Sequence, residues 1–204
     1  MAYSDFKTLD KVTKSFQLEI EESGDLFADV PESAPSVLLQ TLLDKQTPLA
    51  LSIATEKARS ELIIAPILVE LWSLKHQQIS LFSGVEFDVE PQQGLTGVCD
   101  YIISQSKEQL FIRAPVLMLV EAKNEDMKRG YAQCIAEMVA AQSFNVREGN
   151  PQKTVSGVVT TGNIWKFLRL EEKTVWIDRR DYYIEHIGKI LGILQYLVSQ
   201  VELT

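Results

Sequence analysis

The sequence predicts an α/β protein in which a mixed central sheet is flanked by helices. Short apolar stretches recur between residues 79 and 178, which is typical of strands. Directly after the most apolar of these stretches, apolar residues between positions 127 and 139 repeat at helical spacing. Helical patterns also stand before residue 75 and after residue 180, so helices are expected on both sides of the strands in the chain.

The first 74 residues are predicted to be mainly helical. A short helix is expected over residues 4–16, where apolar residues share one face. The charged stretch EIEESGDLFADVPESAP, residues 19–35, is expected to be a surface loop. A second helix should cover residues 35–46. A long helix is predicted over residues 53–74, and Pro66 should kink or break it.

From Ile79 onwards the apolar pattern changes to a period of two, which predicts strands. The stretches ISLFSG and VEFDVE are predicted to be paired strands that turn at Ser83–Gly84. The stretch VLMLV, residues 116–120, is apolar throughout, so we expect a strand that is buried on both faces. The other predicted elements are a strand over 98–104, a helix after Lys123, strands over 155–161, 164–171 and 174–178, and a closing helix over 181–200.

Length and composition predict one globular domain spanning residues 1–204. Of the 204 residues, 46% are hydrophobic and 24% are charged, which is ordinary for a protein with one sizeable core. No apolar run reaches the ~20 residues that cross a bilayer, so no membrane partner is expected. The start of the chain carries charges of both signs and lacks the apolar segment of a signal peptide, so a cytoplasmic location is expected.

What the sequence lacks excludes several classes of site. Its two cysteines, Cys99 and Cys134, form no CxxC pair, and its two histidines, His76 and His186, stand in no ligand-spaced cluster. A structural zinc site and a reaction that needs two histidines are therefore not expected. Dinucleotide-binding, P-loop and nucleophile-elbow patterns are absent as well. The enzyme classes that the sequence does not exclude use carboxylates and lysine as their catalytic groups.

The net charge of −8 counts against non-specific nucleic-acid binding, which depends on positive charge. Residues 1–110 hold 17 acidic and 8 basic side chains, whereas residues 111–204 hold 11 acidic and 12 basic ones. The second part of the chain is nearly neutral, so it could still present a local basic face to a polyanion.

Three charged residues stand in or beside apolar strands in the middle of the chain. Asp100 lies inside VCDYIIS, where a lone carboxylate is costly to bury unless it is paired or bound to a metal. Glu121 and Lys123 follow the apolar stretch that begins at Val116, and alternation places both on one side of the strand. The two carboxylates and the Ala122 carbonyl would bind Mg²⁺ or Mn²⁺ through oxygen. Lys123 would orient a water or offset phosphate charge, which suits metal-assisted phosphodiester hydrolysis.

This arrangement resembles the PD-(D/E)xK nuclease superfamily, whose fold is called restriction-endonuclease-like. The resemblance lies in Asp100, a spacer and Glu121-x-Lys123 at the end of an apolar strand, with one helix before and another after. It covers roughly residues 53–170, which would form a nuclease-like core. Residues 1–52 would then be an N-terminal helical extension, and residues 171–204 would supply a C-terminal strand and helix.

The sequence also resembles one branch of that superfamily, which includes RecB-type nucleases and the N-terminal nuclease domain of type I restriction subunits. Gln133, on the helix after the ExK strand, resembles the glutamine of this branch and would support the site. The stretch TEKARSELIIAPIL, residues 55–68, resembles the first helix of the type I domain. Two positions depart from the pattern, since Cys99 precedes Asp100 in place of proline and Glu137 stands in place of an aromatic residue.

In the superfamily a first-helix glutamate often completes the metal site, and three residues here could take that role: Glu56, Glu61 and Glu70. At about 100° per residue, Glu56 and Glu70 would share a helix face and Glu61 would point away from both. The kink expected at Pro66 alters this phase, so the geometry leaves the choice open. Glu61 is selected here because it directly precedes an apolar run and thus lies nearest a buried surface.

Two functions from different classes follow from these observations. The first is a Mg²⁺- or Mn²⁺-dependent deoxyribonuclease in which Asp100 and Glu121 bind the metal and Lys123 assists the attacking water, with DNA as the partner. The second is the same fold without catalysis, as a binding or assembly module, and the net charge favours it. A carboxylate-and-lysine enzyme acting on a small molecule is a third hypothesis. Either of the first two could require a homodimer or a partner protein.

Overall fold

In the residues that this computed structural model describes (1–76, 78–150 and 154–199), eight strands form one mixed sheet. The strands are β1 (Glu19–Ser23), β2 (Ser80–Glu86), β3 (Val98–Ser104), β4 (Val116–Ala122), β5 (Thr154–Thr160), β6 (Ile164–Glu171), β7 (Thr174–Asp178) and β8 (Tyr182–Tyr183). The α-helices are α1 (Leu9–Phe16), α2 (Val37–Ile53), α3 (Glu56–Arg59), α4 (Ala65–Leu74), α5 (Met127–Arg147) and α6 (Ile187–Ser199). A π-helical turn, Ser60–Ile64, joins α3 to α4, and short 3-10 turns lie at Tyr3–Asp5, Pro91–Gln93 and Ile184–His186.

The order of the strands across the sheet is β1-β7-β6-β5-β4-β3-β2, and β8 pairs with the first residues of β6. The β1–β7 and β4–β5 pairs are parallel, whereas the other neighbours are antiparallel. One buried cluster lies between the sheet and α5, with α1 beside it, and a second lies under α2, α4 and α6. The predicted α/β class, with a mixed sheet flanked by helices, is therefore confirmed.

Strand β4 is buried along its whole length, as its apolar sequence predicts. Helices cover it on both faces, so its side chains enter both hydrophobic clusters. Helix α5 approaches the neighbouring strand very closely at Gly157, where a Cβ atom would lie 2.4 Å from Met138 Sδ and 2.9 Å from Cys134 Sγ. This close packing ties α5 firmly to the centre of the sheet. It thereby fixes the position of the side chains that α5 places beneath β4.

The predictions for the N-terminal region need three corrections. The expected helix over 4–16 begins only at Leu9, because the Thr8 side chain accepts a hydrogen bond from the Lys11 amide and caps it there. The expected loop over 19–35 contains β1, which gains order by parallel pairing with the distant β7. The helix expected over 35–46 continues to Ile53, past the solvent-exposed Pro48.

The long helix predicted over 53–74 begins at Glu56 and runs through the π-helical turn into α4, which ends at Leu74 as predicted. Ala54 has a left-handed backbone conformation that ends α2, and the Thr55 side chain caps α3 by accepting from the Ala58 amide. Pro66 does not end the helix. It follows the π-helical turn, in which the Ala65 amide donates to the Ser60 carbonyl, five residues back. A proline lacks the amide that a regular turn needs, so this wider turn precedes it.

The predicted hairpin at Ser83–Gly84 was wrong, because β2 continues through both residues. Gly84 has a positive φ of 63°, but the residues on either side of it stay paired with β3.

The closing helix, predicted over 181–200, begins at Ile187 after β8 and a 3-10 turn, and its predicted last residue lies outside the described residues. The predicted domain boundaries at residues 52 and 170 stay predictions. Among the described helices, none has the length and apolar content required to cross a membrane.

Candidate active site

The ladder between β3 and β4 ends in a fork, and Asp100 lies at this fork. The strand pairing ends with Tyr101 opposite Val120. Beyond that pair, the Asp100 side chain takes the place of the backbone, and its Oδ2 accepts a hydrogen bond of 2.8 Å from the Ala122 amide. The Asp100 carboxylate is therefore held beside the last residues of β4, where the sequence places Glu121 and Lys123.

Glu121 and Lys123 form an ion pair on one side of β4. Lys123 directly follows the strand, and its amide donates to the Thr160 carbonyl at 2.8 Å, which keeps the backbone extended. Its ammonium contacts Glu121 Oε1, as alternation along a strand predicts. The Glu121 side chain has no solvent exposure and that of Lys123 has 14%. Apart from the Lys123 ammonium, no donor among the described residues hydrogen-bonds to either Glu121 oxygen.

A third carboxyl group, Glu137 of α5, lies close enough to Glu121 for the charges of the two groups to interact. It is also fully buried, and its Oε1 accepts a hydrogen bond of 3.2 Å from Gln133 Nε2. Its Oε2 has no partner among the described residues. The predicted site residue Gln133 thus forms its hydrogen bond with Glu137 and not with Glu121.

Burial and like charges raise the pKa of these carboxyl groups. Burial is the main cause for Glu121, the charge of Asp100 adds to it and Lys123 opposes it, and the pKa rises to about 8. Burial and then the charge of Glu121 raise the pKa of Glu137 well above its ordinary value. For Asp100, burial raises the pKa and outweighs the Ala122 amide and the Lys123 ammonium, which lower it. Burial lowers the pKa of Lys123, but Glu121 outweighs it, so the pKa of this ammonium is raised.

A cleft of about 330 Å³ opens beside Asp100, between the sheet and the turn that joins α3 to α4. Its lining combines carboxylates with hydroxyl groups: Glu56, Ser60, Glu61, Ser83, Asp100 and Tyr101. The Tyr101 hydroxyl lies 2.7 Å from Ser60 Oγ, and this contact holds the turn between α3 and α4 against β3. Lys57 is the basic residue of the lining, so the cleft is mainly acidic.

The three first-helix glutamates lie in different surroundings. Glu56 lines the cleft at the start of α3, and its charge contributes to the raised pKa of Asp100 after burial, the largest cause. Glu61, selected from the sequence, also lines the cleft, but its side chain is 61% exposed and pairs with Lys57 at 3.5 Å. Glu70 accepts hydrogen bonds from Ser36 at 2.7 and 2.9 Å, which occupies both of its oxygens at the start of α2.

The sequence-based reasoning missed Glu137 as a site residue, and Gly130 as the residue that makes room for Lys123. Glu137 was identified only as a departure from a family pattern. The sequence did contain a signal for Glu137. Positions 133 and 137 share a helix face, and an acidic residue at position 137 stands beside the apolar stripe of that helix. Gly130 permits α5 to lie against Lys123, since a Cβ atom would be 3.0 Å from Lys123 Cγ and 2.6 Å from Val159 Cγ1.

Within residues 1–76, 78–150 and 154–199, no three His, Cys, Asp or Glu side chains come together as a preformed cage for a metal ion. Glu121 instead interacts electrostatically with Asp100 and with Glu137. No protein-family model matches this chain, and no curated protein matches it.

Proposed function

We propose that this protein is a Mg²⁺- or Mn²⁺-dependent deoxyribonuclease of the PD-(D/E)xK type, with a restriction-endonuclease-like fold. The observation that carries the proposal is the meeting of Asp100, Glu121 and Lys123 at the fork between β3 and β4. The element order agrees with it, since a helical segment precedes the two strands and α5 follows them.

The donor set suits Mg²⁺ or Mn²⁺ better than a metal that needs a complete protein cage. Lys123 occupies Glu121 Oε1, whereas Glu121 Oε2 has no hydrogen-bond donor in the described part of the chain and is therefore available as a ligand. Mg²⁺ usually keeps several waters and takes only one or two protein carboxylates, so the lack of a three-residue cage is compatible with it. Asp100 and Glu121 would hold the ion, and the Ala122 carbonyl would add an oxygen.

The chain's own groups would then orient the reaction. A bound divalent cation supplies a Lewis acid that offsets phosphate charge and activates water. Asp100, half-buried at the cleft, would present its free oxygen to the substrate side while Ala122 holds the other. Lys123 carries a positive charge, because Glu121 raises the pKa of its ammonium against the effect of burial. It would therefore orient the attacking water by donating a hydrogen bond, and would not accept the proton of that water.

The decisive experiment is a cleavage assay with purified protein, Mg²⁺ or Mn²⁺, and single-stranded, double-stranded, flapped and supercoiled DNA. We expect cleavage by the wild type and by Lys107→Ala, whose exposed lysine lies beyond the opposite end of β3. Lys123→Ala should be inactive. Equal cleavage by both variants would show that the activity comes from a contaminant or from another site, and the proposal would then be rejected.

A second candidate function is a nuclease fold that serves as a binding or assembly module without catalysis. The complete burial of Glu121 and the acidic lining of the cleft favour it, because a polyanionic substrate is repelled there without a cation. Thermal denaturation with Mn²⁺ distinguishes the two functions. Stabilisation of the wild type that is lost in Asp100→Asn supports the nuclease. No stabilisation, together with no cleavage, supports the binding module.

A further inference from the structure

Helix α2 carries two apolar stripes, and the described part of the chain covers only one of them. The covered stripe faces the core and consists of Leu39, Leu43 and Ala50. The other stripe, called the outer stripe below, falls within about 60° of the helix circumference at 100° per residue. Its members are Leu38, Leu42, Leu49 and Ile53. Leu38 is 68% exposed, Leu49 54% and Ile53 48%, so the outer stripe is an apolar surface open to solvent.

A groove of about 340 Å³ lies between α2 and α4, directly beside the outer stripe. Apolar side chains from both helices line it: Leu38, Leu42, Ala65, Pro66 and Val69. Val69 is 51% exposed there. A groove between two helices accepts the apolar face of a further helix. One face of the protein therefore presents both an apolar helical ridge and a groove that such a ridge would fill.

The spacing within the outer stripe is the same in both directions along the helix. Leu42 follows Leu38 by four residues, and seven residues separate Leu42 from Leu49. Ile53 then follows Leu49 by four residues. Two copies of α2 that run antiparallel about a twofold axis therefore bring Leu38 opposite the partner's Ile53. The same register brings Leu42 opposite the partner's Leu49. A symmetric dimer requires this kind of self-complementary surface.

The charges around the outer stripe also suit a second copy of this chain. The whole chain has 28 acidic and 20 basic side chains, but residues 37–74 have only four and three. Two copies that each carry a net charge of −8 repel each other least where the local charge is nearly zero. In the antiparallel register, Lys45 stands opposite the partner's Gln46 and not opposite another lysine. A single polar residue within an apolar seam also specifies the register of a helix pair.

We propose that the protein is a homodimer in which the outer stripe of α2 packs antiparallel against that of a second copy. Leu49 and Ile53 of each copy then cover the groove between α2 and α4 of the other. This dimer does not depend on the proposed nuclease function. The groove shares Glu61 and Ala65 with the cleft beside Asp100, so the interface borders the candidate active site of each copy.

Sedimentation velocity and light scattering on the full chain test the dimer. We expect the wild type to be dimeric at micromolar concentrations. Leu49→Lys places an unpaired charge in the apolar seam and should raise the dissociation constant at least about 100-fold. The matched control is Leu110→Lys, which should stay dimeric, because Leu110 is 84% exposed on the loop between β3 and β4. Circular dichroism checks that each variant is folded, and Ile53→Lys replaces Leu49→Lys if that variant does not fold.

Cysteine cross-linking tests the register. Both native cysteines are buried, so an exposed cysteine introduced on α2 reacts selectively. An oxidised mixture of Leu42→Cys and Leu49→Cys should give a disulfide-linked dimer that contains one copy of each, as peptide mass spectrometry would show. Neither variant alone should cross-link, because each introduced cysteine would lie about 10 Å along the helix axis from its own counterpart.

The outcomes that reject the proposal differ from those that reject the nuclease. A wild type that stays monomeric at about 100 μM rejects the dimer, and a different chain would then have to cover the outer stripe. A dimer that Leu49→Lys leaves intact uses another surface, which rejects it as well. Cross-linking of Leu42→Cys with itself would indicate a parallel pair and reject the register. The cleavage and Mn²⁺ assays decide the proposed function separately, since none of these variants alters the candidate active site.

Discussion

At the residue scale, the main feature of the candidate site is the charge around Glu121. Its carboxylate is fully buried and is compensated by Lys123, whose stem is confined between the end of β4 and α5. The charge of Asp100 acts on Glu121, and the charge of Glu121 acts on Glu137. Natural folds hold buried like charges where a ligand later neutralises them, and such groups are typical of functional sites.

Removing the Lys123 ammonium should destabilise the protein in a pH-dependent way. In Lys123→Met the stem is kept, but the buried Glu121 loses its compensating charge. We expect the free energy of unfolding to fall by on the order of 3 kcal/mol at pH 8. At pH 5 the loss should be smaller, because Glu121 is then protonated in both proteins. Urea denaturation at the two pH values measures this, with Lys107→Met as the control. Equal losses at both pH values would contradict the assigned ion pair.

The raised carboxyl pKa values predict that wild-type stability falls as pH rises. The pKa of Glu121 is about 8 in the folded chain against an ordinary 4.5, so between these values the folded state holds a proton that the unfolded state has lost. The free energy of unfolding therefore decreases across this window, by at most about 1.4 kcal/mol per pH unit for each such group. Below pH 4.5 the free energy of unfolding no longer depends on pH through this group, because it is protonated in both the folded and the unfolded state.

Denaturation series in a chelating buffer between pH 5 and pH 8 test this dependence. Glu137→Gln removes one group with a raised pKa, so its stability should fall less steeply than that of the wild type. A wild type whose stability increases over the same range would show that the buried carboxyl groups are paired with charges that we have not identified.

At the scale of elements, the first turns of α5 and the end of β4 depend on each other. Gly130 lets the helix lie over the Lys123 stem and Val159. In Gly130→Ala, the new Cβ atom would be 2.6 Å from Val159 Cγ1, so either the helix or the lysine must move. We expect a loss of about 1–3 kcal/mol in stability from overpacking, and weaker cleavage because Lys123 is displaced.

The control for this change is Gly24→Ala, where a Cβ atom meets nothing within 4 Å. Thermal denaturation and the cleavage assay provide the measurements. A rise in stability of about 1 kcal/mol in Gly130→Ala, as an exposed helix position would give, would contradict the close packing of α5 on Lys123.

The whole molecule combines a net charge of −8 with an acidic cleft, so nucleic-acid affinity should depend on divalent cations. We expect the inactive Lys123→Ala protein to bind a labelled oligonucleotide at least about 10-fold more tightly with Mn²⁺ than with a chelator, because the cation offsets the carboxylates. Glu56→Gln should raise the affinity measured in the chelator. Fluorescence anisotropy at constant ionic strength provides the measurement, and cation-independent binding would place the nucleic acid on another surface.

The sequence pattern was sufficient to predict the elements whose residues are strongly periodic or strongly apolar. Strands β3, β6 and β7 have their predicted bounds, because each is an apolar or alternating stretch limited by turn residues. Strand β1 was missed, since its Glu-rich sequence has little strand preference of its own and is ordered by pairing with β7. The hairpin at Ser83–Gly84 was wrong because a glycine with positive φ fits inside a strand as well as in a turn.

Taken alone, the sequence determined the α/β class and singled out Asp100, Glu121 and Lys123, because apolar periodicity and charges inside apolar strands are local properties. Only the tertiary structure decided the fork at which Asp100 meets the Ala122 amide, the place of Glu56 in the cleft and the burial of Glu137. These features depend on how a helix and two strands, distant in sequence, pack together. No single-residue pattern carries that information, because packing is settled by the whole core at once.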